Sequence, residues 1–387
     1  MKQLRITILL TVLMSMFGAK AFAHDIEVAN KDGVTIYYEW INNNTELAVT
    51  YRGDNYLSYS DEYSGNVDIP ESVVYEGQSY SVTSIGEGAF GGCSGLTSVT
   101  IPNSVTSIGV STFAYCSGLT SVIVEDGNTV YDSRESCNAI IETHSNTLIA
   151  GCMNTTIPNS VTSIGRLAFR GLEISSIDIP NSVTSIGPGA FERCIKMTTI
   201  VIPNSVTEIG REIFLGCESL FYVKLPDGLS HIPNEAFADC YSLISIVLPQ
   251  SISSISDAAF AGSGLESIII PQSLSSIYGN IFKGCKNLVS IVVDSNNQIY
   301  DSRVGCNAII ETASNKLVEG CYDTIIPNSV ISIGDGAFFD RSITSIEIPN
   351  SVTSIGRDAF FNCSGLTSVT IPNSVISIGS VAFEGCI

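Results

Sequence analysis

Side chains able to act in acid–base chemistry are scarce, since the chain of 387 residues has three histidines. None of them, His24, His144 or His231, lies near a nucleophile motif such as Gly-x-Ser-x-Gly. Serine is abundant, but it is placed where turns need it. We therefore expect no catalytic residues and no enzyme activity.

Cysteine is the second chemical resource, with 12 residues. Eight of them occupy one position of an internal repeat: Cys93, Cys116, Cys194, Cys217, Cys240, Cys285, Cys363 and Cys386. Side chains in one column point the same way, which suits disulfides poorly, and cysteine packs there as a small hydrophobic residue. No Cys-x-x-Cys pair occurs, so we expect no zinc or thioredoxin-like site and no cofactor.

The other four cysteines belong to a segment that occurs twice. Residues 129–161 match residues 298–330 at an offset of 169. Each copy lengthens one repeat and predicts an inserted hairpin. Because an exported protein can form disulfides, two pairs 15 residues apart are the candidates: Cys137 with Cys152, and Cys306 with Cys321.

The duplicated segment also carries acidic residues. Tyr-Asp-Ser-Arg stands at 131–134 and again at 300–303. The simpler interpretation is a turn made by Asp and Ser, with Arg paired to a nearby acid. The alternative is a repeated ligand or calcium site, although no Gly-Asp ligand run accompanies these acids. Its ligands would be Asp132, Glu142, Asp301 and Glu311.

An internal repeat positions all of these residues. Its unit is Ile-Pro-x-Ser-Val-Thr-Ser-Ile-Gly-x-x-Ala-Phe-x-x-Cys-x-x-Leu-x-Ser-Val-x, and most Ile/Leu-Pro pairs are 22 or 23 residues apart. Two gaps of 56 residues each contain a further turn without proline, at 122–124 and 291–293. A fixed period in this range predicts a solenoid of about thirteen coils over residues 69–387.

Each coil has a recognisable pattern. Residues 96–101 alternate as a short strand with one buried face, and Pro102 ends it because proline has no N–H to donate. Val105 and Ile108 predict a second short strand. The Ala-Phe pair that follows predicts a single helical or 3-10 turn with Phe in the core.

The repeat unit resembles the leucine-rich repeats of the bacterial surface-antigen type, the BspA-like group. The matching motifs are IPNSVTSIG (101–109, 157–165, 179–187), AFxxC (89–93, 190–194, 236–240, 359–363) and CSGLTSV (93–99, 116–122, 363–369). The resemblance implies a leucine-rich-repeat solenoid, mainly β with short helical or 3-10 turns and two longer inserted-hairpin coils. Members are typically secreted or surface-attached, and several are implicated in adhesion. It thus implies an adhesin-like role and transfers no catalytic residue.

The N-terminus predicts export. Lys2 and Arg5 precede the apolar run 6–17, and Ala21-Phe22-Ala23 supplies a small-x-small cleavage pattern. Residues 1–23 are therefore predicted to be a secretory signal peptide. No cysteine follows the cleavage position, and no second apolar stretch of about 20 residues occurs. We expect a secreted or cell-surface protein with no lipobox, no visible anchor and no membrane span.

Composition and net charge exclude some classes of protein and of binding partner. Hydrophobic residues make up 44% of the chain, which excludes a disordered protein. There are 18 Lys and Arg against 38 Asp and Glu, so the formal net charge is −20. Nucleic acid is not an expected partner, because phosphate binding needs a basic face.

The two ends differ from the repeat. In residues 24–68, the stretches 34–40 and 46–51 alternate like strands, which predicts a β-hairpin that caps the first coil. Trp40 is expected to pack in this cap rather than to stack on a ligand. The sequence stops within a repeat at residues 386–387. We expect either a truncated end or one shielded by a partner, including self-association.

The strand face outside the core is where a ligand could bind. Several coils carry Ser or Thr there, as at Ser98 and Thr100. An exposed apolar patch often marks a binding site, although β-propensity alone also favours Val, Ile, Phe and Tyr in strands. Four adjacent middle coils carry larger, mostly apolar residues: Phe221, Tyr222, Lys224, Ile244, Val247, Ile269, Val289 and Val292.

This face predicts an adhesin-like binding protein that recognises an extracellular protein or a cell-surface glycan. The alternative is a structural or scaffold module of a surface assembly. A one-sided row of unusual residues favours binding. Uniform polar faces with self-association would favour the scaffold.

Overall fold

The structure is a computed structural model that describes residues 24–55, 57–58, 62–303 and 305–386. The predicted signal peptide, residues 1–23, lies outside the described residues. The chain forms two compact units, one ending at Ser133 and the other beginning at Arg134. The sequence analysis did not predict this boundary, because it falls inside the first copy of the duplicated segment.

The described residues of the first unit form ten strands. They are β1 (Ile26–Ala29), β2 (Thr35–Ile41), β3 (Glu46–Thr50), β4 (Gly65–Asp68), β5 (Ser72–Tyr75), β6 (Gln78–Ile85), β7 (Leu96–Ile101), β8 (Ser107–Ile108), β9 (Ser121–Val124) and β10 (Tyr131–Asp132). Strands β1, β2 and β3 pair in antiparallel order, and β3 pairs in parallel with β6. Strands β4, β7 and β9 form a parallel sheet in which Val67, Val99 and Val122 are in register.

The N-terminal segment thus contains the predicted hairpin, β2 with β3, and a further antiparallel strand, β1. Trp40 on β2 packs edge-on against Tyr80, with ring centroids 4.6 Å apart, as the sequence predicted for its packing. Tyr63 is buried and donates its hydroxyl to the carbonyl of Thr50 at 2.8 Å. The role of this segment as a cap stays a prediction.

The second unit begins with a 3-10 turn at Arg134–Ser136 and continues with short strands. They are β11 (Ala139–Glu142), β12 (Thr147–Gly151), β13 (Ser163–Ile164), β14 (Ser185–Ile186), β15 (Thr199–Val201), β16 (Glu208–Ile209), β17 (Tyr222–Lys224), β18 (His231–Ile232), β19 (Ser254–Ile255), β20 (Ser267–Ile270), β21 (Ser276–Ile277), β22 (Ser290–Val293), β23 (Tyr300–Asp301), β24 (Ala308–Glu311), β25 (Lys316–Gly320), β26 (Ser332–Ile333), β27 (Ser354–Ile355) and β28 (Ser377–Ile378).

Pairing in the second unit follows the repeat. Strands one coil apart pair in parallel, as β13 with β14, β15 with β17, and β20 with β22. The two inserted hairpins, β11 with β12 and β24 with β25, are antiparallel as predicted. Each then joins the coils by parallel pairing of its second strand, β12 with β13 and β25 with β26. The fold is the predicted mainly β solenoid of stacked coils.

The core of the second unit contains stacked phenylalanines, one from each coil. Neighbouring rings from Phe169 to Phe282 have centroids 5.3 to 5.7 Å apart. The cysteine column lies beside them and is buried, as predicted, except for the partly exposed Cys386. Each thiol also donates a hydrogen bond to the Phe carbonyl of the preceding coil, as from Cys217 to Phe191 at 3.0 Å. The column therefore satisfies backbone carbonyls as well as filling volume.

The Ala-Phe segments are single hydrogen-bonded turns with the three-residue spacing of a 3-10 turn, as predicted, and they do not continue into helices. In one coil, Glu192 N donates to Gly189 O and Cys194 N donates to Phe191 O, both with three-residue spacing. Left-handed residues flank the turn, since Gly189 has φ of 60° and Arg193 has φ of 55°. A helix cannot continue through left-handed residues, because each one reverses the backbone twist.

The second inserted hairpin interrupts the regular stacking of coils. In regular coils the Phe N–H donates to a carbonyl of the next coil, as from Phe191 to Ile213 at 3.0 Å. Next to the hairpin, Gly320 N uses the carbonyl of Ala337 at 2.8 Å instead. Gly320 has no substitute here, because a Cβ would lie 2.2 Å from the Phe338 ring.

A buried ion pair restores the missing contacts at this interruption. Glu319 accepts a hydrogen bond from Ile281 N at 2.9 Å, and the backbone of Phe282 also bonds to its carboxylate. Arg341 stands in the cysteine column, donates to Glu319 at 3.2 Å and donates to the carbonyl of Phe282. Both side chains are 1% exposed. The carboxylate of Glu319 thus accepts hydrogen bonds that a backbone carbonyl accepts in regular coils. The guanidinium of Arg341 donates the hydrogen bond that a thiol of the cysteine column donates in other coils.

Candidate binding face

The exposed strand face of the second unit is set by the alternation within each coil. Strand β15 pairs with β17 so that Ile200 faces Val223, and β20 pairs with β22 so that Ile268 faces Ile291. These central residues are all buried. The residues on either side of them therefore point away from the core.

All eight residues singled out from the sequence are exposed. Val247 is the most exposed at 84%, followed by Ile269 at 64%. Phe221, Tyr222, Ile244, Val289 and Val292 are also exposed, as is Lys224. We call these eight residues, together with Val201, the apolar face. The strand phase predicted from the sequence is confirmed, and ligand binding by the face stays a prediction.

Register brings these residues into rows that run from coil to coil. Val201 pairs with Lys224, and Ile269 pairs with Val292. A second row is held by backbone hydrogen bonds of 3.0 Å, from Glu266 N to Ile244 O and from Val289 N to Glu266 O. The structure therefore places the predicted residues together on one surface.

Sequence reasoning missed two members of these rows. Val201 is 51% exposed and lies one coil before Lys224 in the same row. Glu266 is exposed between Ile244 and Val289. Both could have been found from spacing, since each stands at the repeat position of a residue that was singled out.

The histidines do not assemble a recognisable catalytic group. His231 has one ring nitrogen 2.7 Å from Ser254 Oγ and the other 3.2 Å from Ser256 Oγ. Burial lowers the pKa of His231. In the equivalent row of other coils, Ser163 and Ser185 bond each other at 2.9 Å, so His231 extends a row of structural hydroxyl contacts.

The other two histidines lie apart from it in sequence and environment. His24 has its Nδ1 3.0 Å from the carbonyl of Arg52, and His144 is exposed in the bend of the first inserted hairpin. A general base needs a nucleophile within reach and a group that orients it. His231 and His24 are held by hydrogen bonds to other parts of the chain.

The duplicated Tyr-Asp-Ser-Arg segment supports the simpler of its two interpretations. Arg303 Nε lies 3.1 Å from Asp301, and the same guanidinium donates to Asn315 at 2.6 Å. Ser302 Oγ accepts a hydrogen bond from Val293 N at 2.8 Å. This is the predicted turn with an Arg–acid pair.

The proposed calcium ligands do not come together. Glu311 accepts a hydrogen bond from Ser314, and Glu142 accepts one from Ser145 in the first copy. Across the part of the chain that the structure describes, no group of three His, Cys, Asp or Glu side chains could hold a metal ion. Asp301 instead pairs with Arg303 of its own segment.

The cysteines of the duplicated segment each contact a backbone carbonyl. Cys306 and Cys321 are free thiols, directed at Ala308 O at 3.8 Å and Asn307 O at 3.1 Å. Burial raises the pKa of Cys306 to about 11. Cys137 and Cys152 of the first copy have matching contacts, with Ala139 O at 3.6 Å and Asn138 O at 3.2 Å. The disulfide considered for the second copy is not formed in the structure.

A cleft of about 600 Å³ lies among the turns of the second unit. Glu235, Asp239, Tyr241 and Lys283 line it. Its charges are of both signs, and Lys286 on its wall pairs with Asp340 at 3.5 Å. The cleft includes none of the residues of the apolar face.

A family model described as "BspA type Leucine rich repeat region (6 copies)" matches residues 73–147, 150–263, 212–316 and 313–387. The chain belongs to the BspA-type leucine-rich repeat family. This membership confirms the resemblance drawn from the repeat motifs. No curated protein matches the chain in sequence. Among the described residues, no helix is long and apolar enough to cross a membrane.

Solved bacterial structures are similar to this BspA-type chain. A leucine-rich cell surface protein from Faecalibacterium prausnitzii is 27% identical, with 94% of this chain and 81% of that chain covered and a TM-score of 0.47. A leucine-rich repeat protein from Bacteroides ovatus is also 27% identical, with 91% of each chain covered and a TM-score of 0.43. The pneumococcal vaccine antigen PcpA is 14% identical, with 94% and 80% covered and a TM-score of 0.38.

Proposed function

We propose that this BspA-type protein is a secreted or cell-surface binding protein, adhesin-like in its action. It engages an extracellular protein or a cell-surface glycan through the apolar face. The observation that carries the proposal is the clustering of exposed Val, Ile, Phe and Tyr on adjacent coils of one sheet face. The export pattern of residues 1–23 is consistent with an extracellular partner.

The fold itself does not need these side chains. At the matching strand positions, other coils of the same unit carry Ser175 and Asp178 or Thr367 and Thr370, all of them exposed. Each apolar residue on the face therefore leaves hydrocarbon in water without filling the core. Such a cost is compensated when a partner covers the surface, which is why exposed apolar patches often mark binding sites.

Binding assays on a double variant test the proposal. Val247→Thr with Ile269→Thr places on the face the residue found at Thr370. The protein would be measured against immobilised matrix proteins, mucin and cell-surface glycans. We expect the affinity for the bound surface to fall at least fivefold, about 1 kcal/mol, as when an interface anchor is truncated.

The matched control is Ile376→Thr, which removes an 86% exposed isoleucine that is not part of the face. It should leave binding unchanged. Circular dichroism should show the same fold in all three proteins. Equal binding by the double variant and the wild type would refute the role of the face. Ordered self-assembly without binding to any surface would instead favour the scaffold alternative.

A further inference from the structure

On the apolar face, two rows of apolar side chains lie on either side of a row of small residues. We call the two rows walls, the row between them the floor, and the whole arrangement the trough. One wall is formed by Ile244 and Val289, with Glu266 between them. Three residues further along each strand, the opposite wall is formed by Val247, Ile269 and Val292. All five of these apolar side chains are exposed. At about 3.3 Å per residue, the two walls are about 10 Å apart.

The floor between the walls consists of small hydroxyl side chains. Ser245, Ser267 and Ser290 occupy it, and β20 and β22 place Ser267 and Ser290 in register. At one end the floor position is filled by Tyr222, so the trough is closed there by a large side chain. From the closed end at Lys224 to Val292 the wall spans three coil steps, about 14 Å at 4.8 Å each.

We propose that this trough receives an amphipathic α-helix of a protein partner, apolar on one side and basic on its flanks. The proposal rests on the binding function proposed for the apolar face. A helix with its side chains is about 10–12 Å across, close to the backbone spacing of the two walls, so a helix that lies over the row of serines would contact both walls. Fourteen ångströms correspond to about 10 helical residues, and the 5.4 Å helical pitch is close to the coil spacing.

Other occupants fit the surface less well. An added β-strand pairs at the edge of a sheet, whereas the trough lies on the face of β20 and β22, which pair with each other. A glycan needs hydrogen-bonding partners, and the walls present mainly hydrocarbon. A second copy of the chain would bring together two molecules that each carry a net charge of −20.

The charge of this protein favours basic residues on the flanks of the partner helix. The net charge of −20 attracts cationic partners, and Glu266 is exposed within one wall. Asp227 is exposed on the turn that follows β17. Lys224 places a positive charge beside the closed end, away from Glu266. The partner helix therefore carries Lys or Arg on either side of its apolar stripe.

A designed peptide tests the proposal directly. The probe is a fluorescein-labelled 14-residue peptide of Leu, Ala and Lys with its leucines at helical spacing i, i+4, i+7 and i+11. One control peptide has the same composition in scrambled order, and a second has a central proline that prevents a helix. We expect fluorescence anisotropy to show at least tenfold weaker binding for both controls. Equal binding of either control would overturn the proposal.

Two protein variants locate the peptide. Ser267→Trp fills the floor and should weaken binding of the helical peptide at least tenfold, and the Val247→Thr, Ile269→Thr variant should do the same. Ile376→Thr should not change binding. Circular dichroism confirms the fold, and if Ser267→Trp does not fold, the double variant decides. Unchanged affinity in the folded double variant would overturn the proposal.

Competition separates this inference from the broader function. If the helical peptide displaces the matrix protein or mucin bound by the chain, both proposals stand. If the double variant loses that binding but the peptide does not displace it, the face binds a partner that is not a helix. A glycan bound at the face and not displaced by the peptide would likewise overturn the inference alone.

Discussion

Replacing the buried ion pair of the second inserted hairpin is the most informative perturbation of this protein. The duplicated segments have an offset of 169, so Glu319 corresponds to Ala150 and Arg341 to Leu172 (150 + 169 and 172 + 169). Ala150 and Leu172 are both buried. The chain therefore contains its own apolar version of the pair, and Glu319→Ala with Arg341→Leu copies it.

The contacts give the expected magnitudes. At a pH above the pKa of Glu319, Arg341→Leu leaves its carboxylate buried without a cation. The same variant removes the donor to Gly320 O, which lies 3.1 Å from Arg341 Nε. Glu319→Ala leaves the guanidinium unpaired and Ile281 N without its acceptor. Removing one partner of a buried pair typically costs about 3–5 kcal/mol. Replacing both partners by apolar groups often changes stability little. The free energy of unfolding of the double variant should therefore lie within about 2 kcal/mol of that of the wild type.

The assay has to be local, because a repeat protein need not unfold in one step. Hydrogen exchange followed by mass spectrometry on peptides that cover residues 278–290 reports the opening free energy at Ile281 and Phe282. Urea unfolding followed by circular dichroism gives the global comparison. Each single variant should open far more readily at these amides than the double variant. Peptides around Phe191 serve as the internal reference, since they lie several coils away.

Additive costs would refute the reasoning. The double variant could lose as much free energy of unfolding as the two single variants together, about 6–10 kcal/mol. In that case each side chain acts through its own backbone contacts, and the ion pair contributes no coupling. A double variant less stable than either single variant would mean that the apolar pair does not fit the second copy.

The same pair predicts a dependence on pH. Burial raises the pKa of Glu319 from 4.5 to about 8, and Arg341 opposes this shift. A carboxyl group with a raised folded-state pKa binds more protons in the folded protein, so its contribution to stability falls as pH rises from about 4.5 to about 8. The free energy of unfolding of the wild type, minus that of the double variant, should therefore decrease as pH rises over this range. A difference that is constant or increases with pH contradicts the assignment.

Three further predictions concern the core, the thiols and the face. Phe191→Ala should cost about 3–5 kcal/mol and open its coil to limited proteolysis, because the ring is fully buried between two stacked rings. The half-exposed Phe361→Ala should cost less, and equal digestion patterns would argue against the core assignment. Denatured, unreduced protein should show at least eight titratable thiols, and fewer than four would indicate disulfides. In the native protein few thiols should react, because burial raises their pKa values, that of Cys217 to about 12. Phe221→Ser with Tyr222→Thr should keep the circular dichroism spectrum and melting temperature, and loss of fold would mean that these side chains are not on the surface.

Periodicity made the architecture predictable from the sequence. Every coil repeats the same order of buried and exposed positions, so one correct alignment fixes the strand phase for all coils. The buried central residues Val223 and Ile268 and the exposed Val247 follow from that alignment alone. The cysteine column and the antiparallel inserted hairpins followed in the same way, because each repeats at the same position.

Local backbone geometry was less predictable. The Ala-Phe segments have helix-compatible residues, yet left-handed residues such as Arg193 turn the chain back within one coil. The contact of His231 with Ser254 and Ser256 joins residues more than 20 positions apart, in different coils. Such contacts depend on which side chains stack above one another, and this is known only when the coils are placed in register.

The ion pair shows where a repeat sequence carries information beyond its consensus. Stacking satisfies the backbone groups of one coil with those of the next, so an inserted hairpin that shifts the partner leaves N–H and C=O groups to be satisfied by side chains. At the second insertion, Glu319 and Arg341 fill these roles for Ile281 and Phe282. Both residues depart from the first copy, and Arg341 replaces a thiol of the cysteine column. Two such departures in one pair of facing coils indicate a break in stacking, because a charged residue enters the buried column only where a backbone group has lost its usual partner.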